Sequence, residues 1–263
     1  MSRRSVQRIA KKIGVRNFKR YRSVNLPAGV RERRLERSKK LLTRFPMRKV
    51  KLLTFQDEKD FTLEVPTNRQ NNRVYSRNKK SEIDETRLYH QGNKQSLKLM
   101  VSCCVSWNGV TPPFFVDPAK SKVTGELHTR HLRTQLIPAC KKLYPKNDFI
   151  FVQDGAPSHT SKVCQSYLKD TLGRGMFVTK SEWPPKSPDL NVLDYYFWDR
   201  INTKVYEGRT QPFKDLEQLR RRIKTSWTKV VNLPEIRRAI RQFRPRLSAV
   251  IKNNGGPIEA YYG

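Results

Sequence analysis

The stretch DFIFVQDGAPSHTS, residues 148–161, contains a continuous apolar run that ends in an acidic residue. Apolar residues without alternation are typical of a strand that is buried on both faces, as the central strands of parallel sheets are. Ligands of open α/β sheets collect at the carboxyl ends of such strands, which is where Asp154 lies. The pair Asp154-Gly155 also fits a turn, but Ala156-Pro157 follows in place of a second strand. A ligand-binding role and a turn role both stay open.

A second acidic position, Asp194, follows a proline-rich segment. Pro184, Pro185 and Pro188 favour an extended chain and prevent a helix from starting before them. Asn191 is then a natural N-cap, with Asp194 three residues later in the first helical turn. An acid at this place stabilises the positive end of a helix by roughly 0.3–1 kcal/mol. It is also held rigidly, as a metal ligand needs to be.

A third acid, Asp57, follows the apolar run of residues 51–56 and precedes residues 61–65, which alternate with strand period. Taken alone, the acid-rich segment 57–60 favours a hairpin turn. A rival acid near the second position, Asp189, precedes the cap Asn191 and fits a turn or cap role. His159 could approach a phosphate, although a histidine early in a helix is more often structural.

The rest of the chain predicts one further hairpin and a helical end. Residues 97–107 indicate a strand, and Asn108-Gly109 indicates the turn that follows it. Apolar residues recur at helical spacing over 195–205, 213–227 and 236–247. We expect ordered structure to end at residues 255–257. The exposed faces of these helices carry six arginines that either contact DNA backbone or are simply solvated: Arg220, Arg221, Arg222, Arg237, Arg238 and Arg241.

The charge of the chain points to a polyanionic partner. The 55 Lys and Arg residues outnumber 23 acids, for a net charge of +32, and such a field attracts nucleic acid regardless of sequence. Residues 1–50 contribute +16 of this charge. The four cysteines lack CxxC spacing, which indicates buried reduced thiols in an intracellular protein. No apolar run is long enough to span a membrane, and no signal peptide is evident.

Four ordered strings resemble the catalytic domain of mariner-type transposases of the Tc/mariner superfamily: FQDEKDF at 55–61, NRQNNRVY at 68–75, VQDGAPSHTS at 152–161 and WPPKSPDLNVLDYYFW at 183–198. The stretch FRPRLSAVIKNNGGPIE at 243–259 is similar too. The resemblance implies an α/β fold of the ribonuclease-H-like class, with a mixed central sheet flanked by helices and a basic helical N-terminal extension. It implies catalytic and metal-binding roles for Asp57, Asp154 and Asp194. The 39 residues between Asp154 and Asp194 exceed the usual family spacing and leave the subfamily open.

The expected chemistry accounts for the acid residues. Two hard cations about 3.5–4 Å apart can activate a nucleophile and stabilise a leaving oxygen, and Mg²⁺ prefers carboxylate oxygens. Three acids with no paired His or Cys therefore predict two ions of Mg²⁺ or Mn²⁺, not zinc. By analogy with the family, Asp57 bridges both ions while Asp154 and Asp194 each hold one.

Four regions are predicted: a remnant recognition helix at 1–15, a basic linker at 16–50, the catalytic domain at 51–210 and its helical C-terminal part at 211–263. Residues 1–15 resemble the last helix of a helix-turn-helix. The candidate DNA contacts are Arg3, Arg4, Ser5, Gln7, Arg8, Lys11 and Lys12. Because Met1 lies only four residues before Ser5, we expect most of the family's end-recognition module to be missing and specific end recognition to be weak.

The sequence thus predicts a transposase catalytic domain that performs metal-dependent DNA strand cleavage and strand transfer. Its expected partners are transposon ends and target DNA, with a homodimer as a further expectation, and its expected location is the nucleus. The alternative is a catalytically silent DNA-binding protein derived from a transposase. An RNA-binding protein of ribosomal type is poorly supported, because it gives no reason for acids at strand ends.

Overall fold

The structure is a computed structural model that describes residues 8–9, 12–13, 24–66, 97–116 and 123–258. Its strands are β1 (Leu53–Thr62), β2 (Lys98–Ser106), β3 (Gly109–Val110), β4 (Phe114–Val116) and β5 (Ile150–Val152). Its α-helices are α1 (Ala28–Arg44), α2 (Met47–Val50), α3 (Gly125–His131), α4 (Ile137–Leu143), α5 (Lys162–Leu172), α6 (Trp198–Tyr206), α7 (Leu216–Val230), α8 (Leu233–Arg241) and α9 (Phe243–Lys252). Two π-helical turns join them, at Leu132–Leu136 and Leu193–Phe197.

The sheet is mixed, with strand order β3-β2-β1-β5 and β4 pairing with β2. Strand β1 runs antiparallel to β2, with Asp57 opposite Cys103, and parallel to β5, with Leu53 opposite Ile150. On its other side β5 meets a parallel bridge from Phe151 to Phe177. The apolar run before Asp154 therefore forms an interior parallel strand, as the sequence predicted.

The hairpin turn that the isolated segment 57–60 favoured is wrong. Strand β1 continues through all four residues, and its pairing with β2 extends from Thr54 opposite Ser106 to Thr62 opposite Lys98. The long partner strand supplies backbone hydrogen bonds to these polar residues, so that tertiary pairing overrides their turn propensity. Asp57 is consequently held in the middle of the sheet and not at a loop tip.

Helices cover both faces of the sheet, and the side chains of β5 show why. Ile150 and Val152 pack into the larger core, which includes the apolar sides of α1, α6, α7, α8 and α9. Phe149 and Phe151 point the other way into a second core with α4 and α5. Alternate residues of a strand face opposite sides of the sheet, so a continuous apolar run is required here. The hairpin predicted at Asn108-Gly109 is present as β2–β3.

The segment predicted as a basic linker is partly built into the domain. Helix α1 packs against α9 and buries Leu41 and Arg34, each 1% exposed. Phe45, directly after α1, contacts the ring of Phe243 in α9, and Val50 of α2 is fully buried. The basic side chains of α1 thus lie on a helix that has an apolar face towards the core.

The C-terminal helices lie where their periodicity predicted them, but the order expected to end at 255–257 continues. Gly255 has φ +75°, and a Cβ there would lie 2.1 Å from the backbone oxygen of Arg31. Only glycine fits this close approach. Ile258 is fully buried just beyond it. Within the described residues, no helix combines the length and the apolar composition that crossing a bilayer would need.

Candidate active site

Asp57 reaches the site from the middle of β1. Its Oδ2 accepts a hydrogen bond of 2.8 Å from the indole Nε1–H of Trp198, the first residue of α6. Burial raises the pKa of Asp57 well above its usual value, and the nearby charges of Asp194 and Glu58 add to this effect, while the Trp198 hydrogen bond opposes it. A carboxylate placed this way gains from any cation that neutralises it.

Asp154 lies two residues beyond the end of β5 and is held by its own loop. Its Oδ1 accepts from the backbone N–H of Ala156 at 2.9 Å and contacts His159 Nδ1 at 2.6 Å. Burial alone would raise its pKa, but the hydrogen bond and charge of His159 outweigh burial and lower the pKa of Asp154. Asp154 is therefore the carboxylate of the three that ionises most readily.

Asp194 lies in the π-helical turn Leu193–Phe197. Asn191 caps this turn as the sequence predicted, since its Oδ1 accepts from the backbone N–H of Leu193 at 3.1 Å. The Nδ2 of Asn191 donates to the backbone oxygen of Gln56 at 3.4 Å, which ties the turn to β1 beside Asp57. Burial and the charge of Asp154 raise the pKa of Asp194 to about 7. The turn is thus fixed in register with the strand.

The three aspartates border one pocket of about 650 Å³, although they come from segments far apart in the chain. Glu58 and Asn191 also line it. Basic side chains also line the pocket: Arg37, Lys180 and Lys186. The structure brings together all three acids that the sequence singled out. Their catalytic role stays a prediction.

The carboxylates fit the hard divalent cations predicted from the sequence. Burial and like charge both disfavour the ionised forms of Asp57 and Asp194: Asp194 acts on Asp57, and Asp154 acts on Asp194. A cation between them would remove that cost, and oxygen ligands suit Mg²⁺ or Mn²⁺. The residues present therefore match the donor set that such ions require.

Asp189, the rival for Asp194, has a structural role instead. It is buried and forms an ion pair with Arg34 of α1. Arg34 also donates to Ser187 Oγ at 2.7 Å and to the backbone oxygen of Lys186 at 3.0 Å. Asp189 therefore anchors the proline-rich segment to α1, and it is not among the residues that line the pocket, although its charge helps to raise the pKa of Asp194.

The predicted DNA-binding residues are only partly described. Arg3, Arg4, Ser5, Gln7 and Lys11 lie outside the described residues, while Arg8 and Lys12 are exposed. Their contact with DNA stays a prediction.

The C-terminal arginines divide into two groups. Arg221, Arg238 and Arg241 are exposed. Arg222 instead donates to backbone oxygens at the end of α6, and Arg237 to that of Trp107. Part of this basic face therefore serves intramolecular packing.

A buried cluster of Glu58, His128 and His159 lies beside Asp154, and sequence reasoning did not find it. His159 Nε2 lies 3.2 Å from Glu58 Oε2, and His128 Nδ1 lies 3.5 Å from Glu58 Oε1. Burial opposes protonation of His159, but hydrogen bonds to Asp154 and Glu58 raise its pKa to about 10. The only sequence signals were Glu58, directly after Asp57, and His159, two residues after Pro157. Nothing in the sequence linked His128 to them.

Comparisons with known proteins agree with this geometry. Residues 53–220 match the family model described as "DDE superfamily endonuclease". The chain is 27% identical over 115 residues to the Tc3 transposase of Caenorhabditis elegans, a match that covers 44% of this chain and 32% of that protein. The chain thus matches about a third of the length of this relative.

Two solved structures share the fold. A Mos1 transposase paired-end complex with left transposon end has TM-score 0.75 and 21% identity, covering 97% of this chain and 71% of that one. The Mos1 mariner paired end complex with Mn has TM-score 0.75 and 20% identity, with the same coverage. This likeness confirms the predicted ribonuclease-H-like class of a mixed sheet flanked by helices. Since the family model also covers more than half of the sequence, the chain belongs to the DDE superfamily endonucleases.

Proposed function

We propose that this chain is the catalytic domain of a transposase that cuts DNA strands and joins them with the help of divalent metal. The observation that carries the proposal is the meeting of Asp57, Asp154 and Asp194 at one pocket. A strand, the loop directly after a strand and a helical turn carry them, and hydrogen bonds from Trp198, Ala156, His159 and Asn191 fix these positions. Family membership and the Tc3 and Mos1 relatives support the same reaction class.

Each aspartate would contribute oxygen ligands to Mg²⁺ or Mn²⁺, with two ions as our proposal. Such ions polarise the phosphate, activate a water or a 3′-hydroxyl and stabilise the leaving oxygen. The protein's own part is to orient the carboxylates. Trp198 donates to Asp57, His159 and the Ala156 N–H fix Asp154, and Asn191 places the turn of Asp194. A solved Mos1 complex with Mn supports the choice of ion.

The basic residues of the pocket would hold the DNA backbone. Arg37 is fixed by hydrogen bonds from its guanidinium to the backbone oxygens of Lys180 and Trp183. Lys186 is steadied by the backbone oxygen of Asn25, at 3.1 Å. Phosphate contacts of this kind position the substrate without reading its sequence. We therefore expect binding at this pocket to be salt-sensitive and to depend little on sequence.

Transposon ends and target DNA are the proposed substrates, and the proposed assembly is a homodimer. The Mos1 relatives form paired-end complexes, one of them with a transposon end. Transposition acts on chromosomal DNA, and we propose that the protein acts in the nucleus.

Metal-dependent strand cleavage and strand transfer by the purified protein test the proposal. The substrate is DNA that carries the terminal repeats flanking the element, with Mg²⁺ or Mn²⁺. We expect products from the wild type and none from Asp154→Ala, whereas Asp170→Ala, an exposed acid on α5, retains activity. Salt-sensitive DNA binding without cleavage, even with Mn²⁺, would contradict the enzyme and favour a silent DNA-binding protein.

A further inference from the structure

The buried cluster beside Asp154 has the contents of a second metal site. His128 and His159 are 1% and 3% exposed, and Glu58 reaches them from β1. One ligand atom of each residue lies within 4.8 Å of the others. Their separations from the Glu58 oxygens are 3.2 and 3.5 Å. Ligands about 2.0–2.1 Å from a tetrahedral Zn²⁺ lie about 3.3–3.4 Å apart, and each nitrogen lies at about this distance from one of the two Glu58 oxygens.

Hydrogen bonds on the outer side of both rings fix which nitrogens face inwards. His159 Nδ1 contacts Asp154 Oδ1 at 2.6 Å and must carry a hydrogen there. His128 Nε2 lies 3.2 Å from Gln153 Oε1. The amide of Gln153 is oriented by its Nε2, which donates to the backbone oxygen of His159 at 2.9 Å. Its Oε1 is therefore the acceptor, and His128 donates to it through Nε2–H.

The inner nitrogens of both rings consequently point at one carboxylate. The two rings pack with centroids 4.2 Å apart. A divalent ion bound between them and Glu58 would use the lone pairs of both inner nitrogens.

We propose that Glu58, His128 and His159 form a binding site for a borderline divalent transition-metal ion of the Zn²⁺ class. Two imidazole nitrogens and one carboxylate are the ligand set that zinc takes when a fourth position stays open to solvent. Mg²⁺ avoids nitrogen ligands, so this site and the three aspartates select different ions. The pocket supplies an entry route, because Glu58 and Asp154 line it.

The surroundings of the cluster match a metal site beyond its direct ligands. Metal-binding histidines usually donate their other N–H to a carboxylate or an amide oxygen, which fixes the ring. Here Asp154 does so for His159, and Gln153 does so for His128. A metal on His159 would orient Asp154 through the imidazole ring. Glu58, His128 and His159 are then positioning residues for the proposed catalytic carboxylate.

Cobalt binding tests the site, because four-coordinate Co²⁺ with nitrogen ligands absorbs visible light, whereas octahedral Co²⁺ on carboxylates absorbs weakly. We expect metal-free wild type at pH 7.5 to develop these bands with one equivalent of Co²⁺. One equivalent of Zn²⁺ should remove them. In His128→Gln and Glu58→Gln we expect Co²⁺ affinity to fall about 100-fold or more. Asp154→Asn, which alters only the outer hydrogen bond of His159, should lower it by about 10–100-fold.

Asp57→Asn and Asp194→Asn are the matched controls and should keep the bands, because these residues belong to the aspartate site. Near-UV circular dichroism checks that each variant is folded. Even if one variant is not, the Co²⁺ titration of the wild type shows whether the protein has a tetrahedral metal site. Absence of tetrahedral bands in the wild type overturns the proposal. Bands that survive in His128→Gln and Glu58→Gln but disappear in Asp57→Asn overturn it as well.

Discussion

Replacement of Arg34 by methionine should destabilise the protein far more than replacement of an exposed base on the same helix. The side chain of Arg34 is 1% exposed, and that of its partner Asp189 is 5% exposed. The substitution keeps an apolar stem but leaves the carboxylate buried without its counter-charge. Loss of one partner of a buried pair costs about 3–5 kcal/mol. We therefore expect a fall of that size in the free energy of unfolding.

Lys40 is the matched control. It pairs with Glu36 on the same helix, but both side chains are more than 60% exposed, and solvent screening leaves such pairs with little effect on the free energy of unfolding. Urea unfolding of wild type, Arg34→Met and Lys40→Met measures the difference, provided that all three share one m-value. The double variant Arg34→Met/Asp189→Leu should recover most of the loss, since an apolar pair of similar volume replaces a buried ion pair at little cost.

If Arg34→Met lowers the free energy of unfolding no more than Lys40→Met does, the buried ion pair does not stabilise the protein. The same conclusion follows if the double variant is as unstable as Arg34→Met. The first result would mean that Asp189 does not depend on Arg34 in solution, and the second that packing around the stem, not charge, sets the cost. Either would reopen Asp189 as a candidate ligand near the pocket.

Three further predictions concern the pocket. The pKa of Asp194 in the folded state is raised from its usual 3.8 to about 7, so the stability that the protonated side chain contributes is present below pH 4 and is lost as pH rises through 7. In EDTA, Asp194→Asn should therefore resist urea better than wild type at pH 8 but not at pH 4. Parallel pH profiles of the two proteins would contradict this. Trp198→Phe removes a hydrogen bond to the Asp57 carboxylate, which is worth about 1.5–3 kcal/mol. We expect the Mg²⁺ concentration for half-maximal cleavage to rise about tenfold or more. An unchanged Mg²⁺ dependence would contradict a role of Trp198 in orienting Asp57. Lys180→Ala should lower by about 1 the magnitude of the slope of log binding constant against log salt concentration, measured for DNA by fluorescence anisotropy. Lys146→Ala, outside the pocket, should leave this slope unchanged. Equal slopes in both variants would exclude Lys180 as a phosphate contact.

Local patterns were enough to place two of the three aspartates. The apolar run before Asp154 requires burial on both faces, and only an interior parallel strand provides it. The prolines allow only a short 3-10 turn at Pro188–Leu190 before Asn191, and the hydrogen bond from Leu193 N–H to Asn191 Oδ1 fixes the turn that carries Asp194. In both cases the sequence pattern that indicates the position spans only a few residues, so the sequence shows it directly.

Long-range contacts explain what the sequence could not show. Asp57 lies in a strand because of nine paired residues on β2, about forty positions later, while its neighbours favour a turn. His128 joins Glu58 and His159 only because α3 packs against α5. Histidines with no motif spacing give no indication of such a meeting. The sequence therefore predicted the carboxylates and the cap Asn191, but not the hydrogen bonds by which Trp198 and His159 hold Asp57 and Asp154.

Long-range contacts also give the basic N-terminal segment a role that its sequence does not show. A basic run predicts a surface for DNA, yet three arginines of α1 donate to the chain between residues 175 and 189. Arg34 holds Lys186 and Ser187, Arg37 holds Lys180 and Trp183, and Arg44 holds Gly175 and Phe177 through their backbone oxygens. Arg34 and Arg44 also form ion pairs with Asp189 and Glu182. The bonds of Arg37 end only on neutral backbone oxygens, so this residue keeps its positive charge at the pocket wall. Helix α1 therefore links substrate attraction to pocket geometry, and neutralising Arg37 should weaken both DNA binding and the positioning of Lys180.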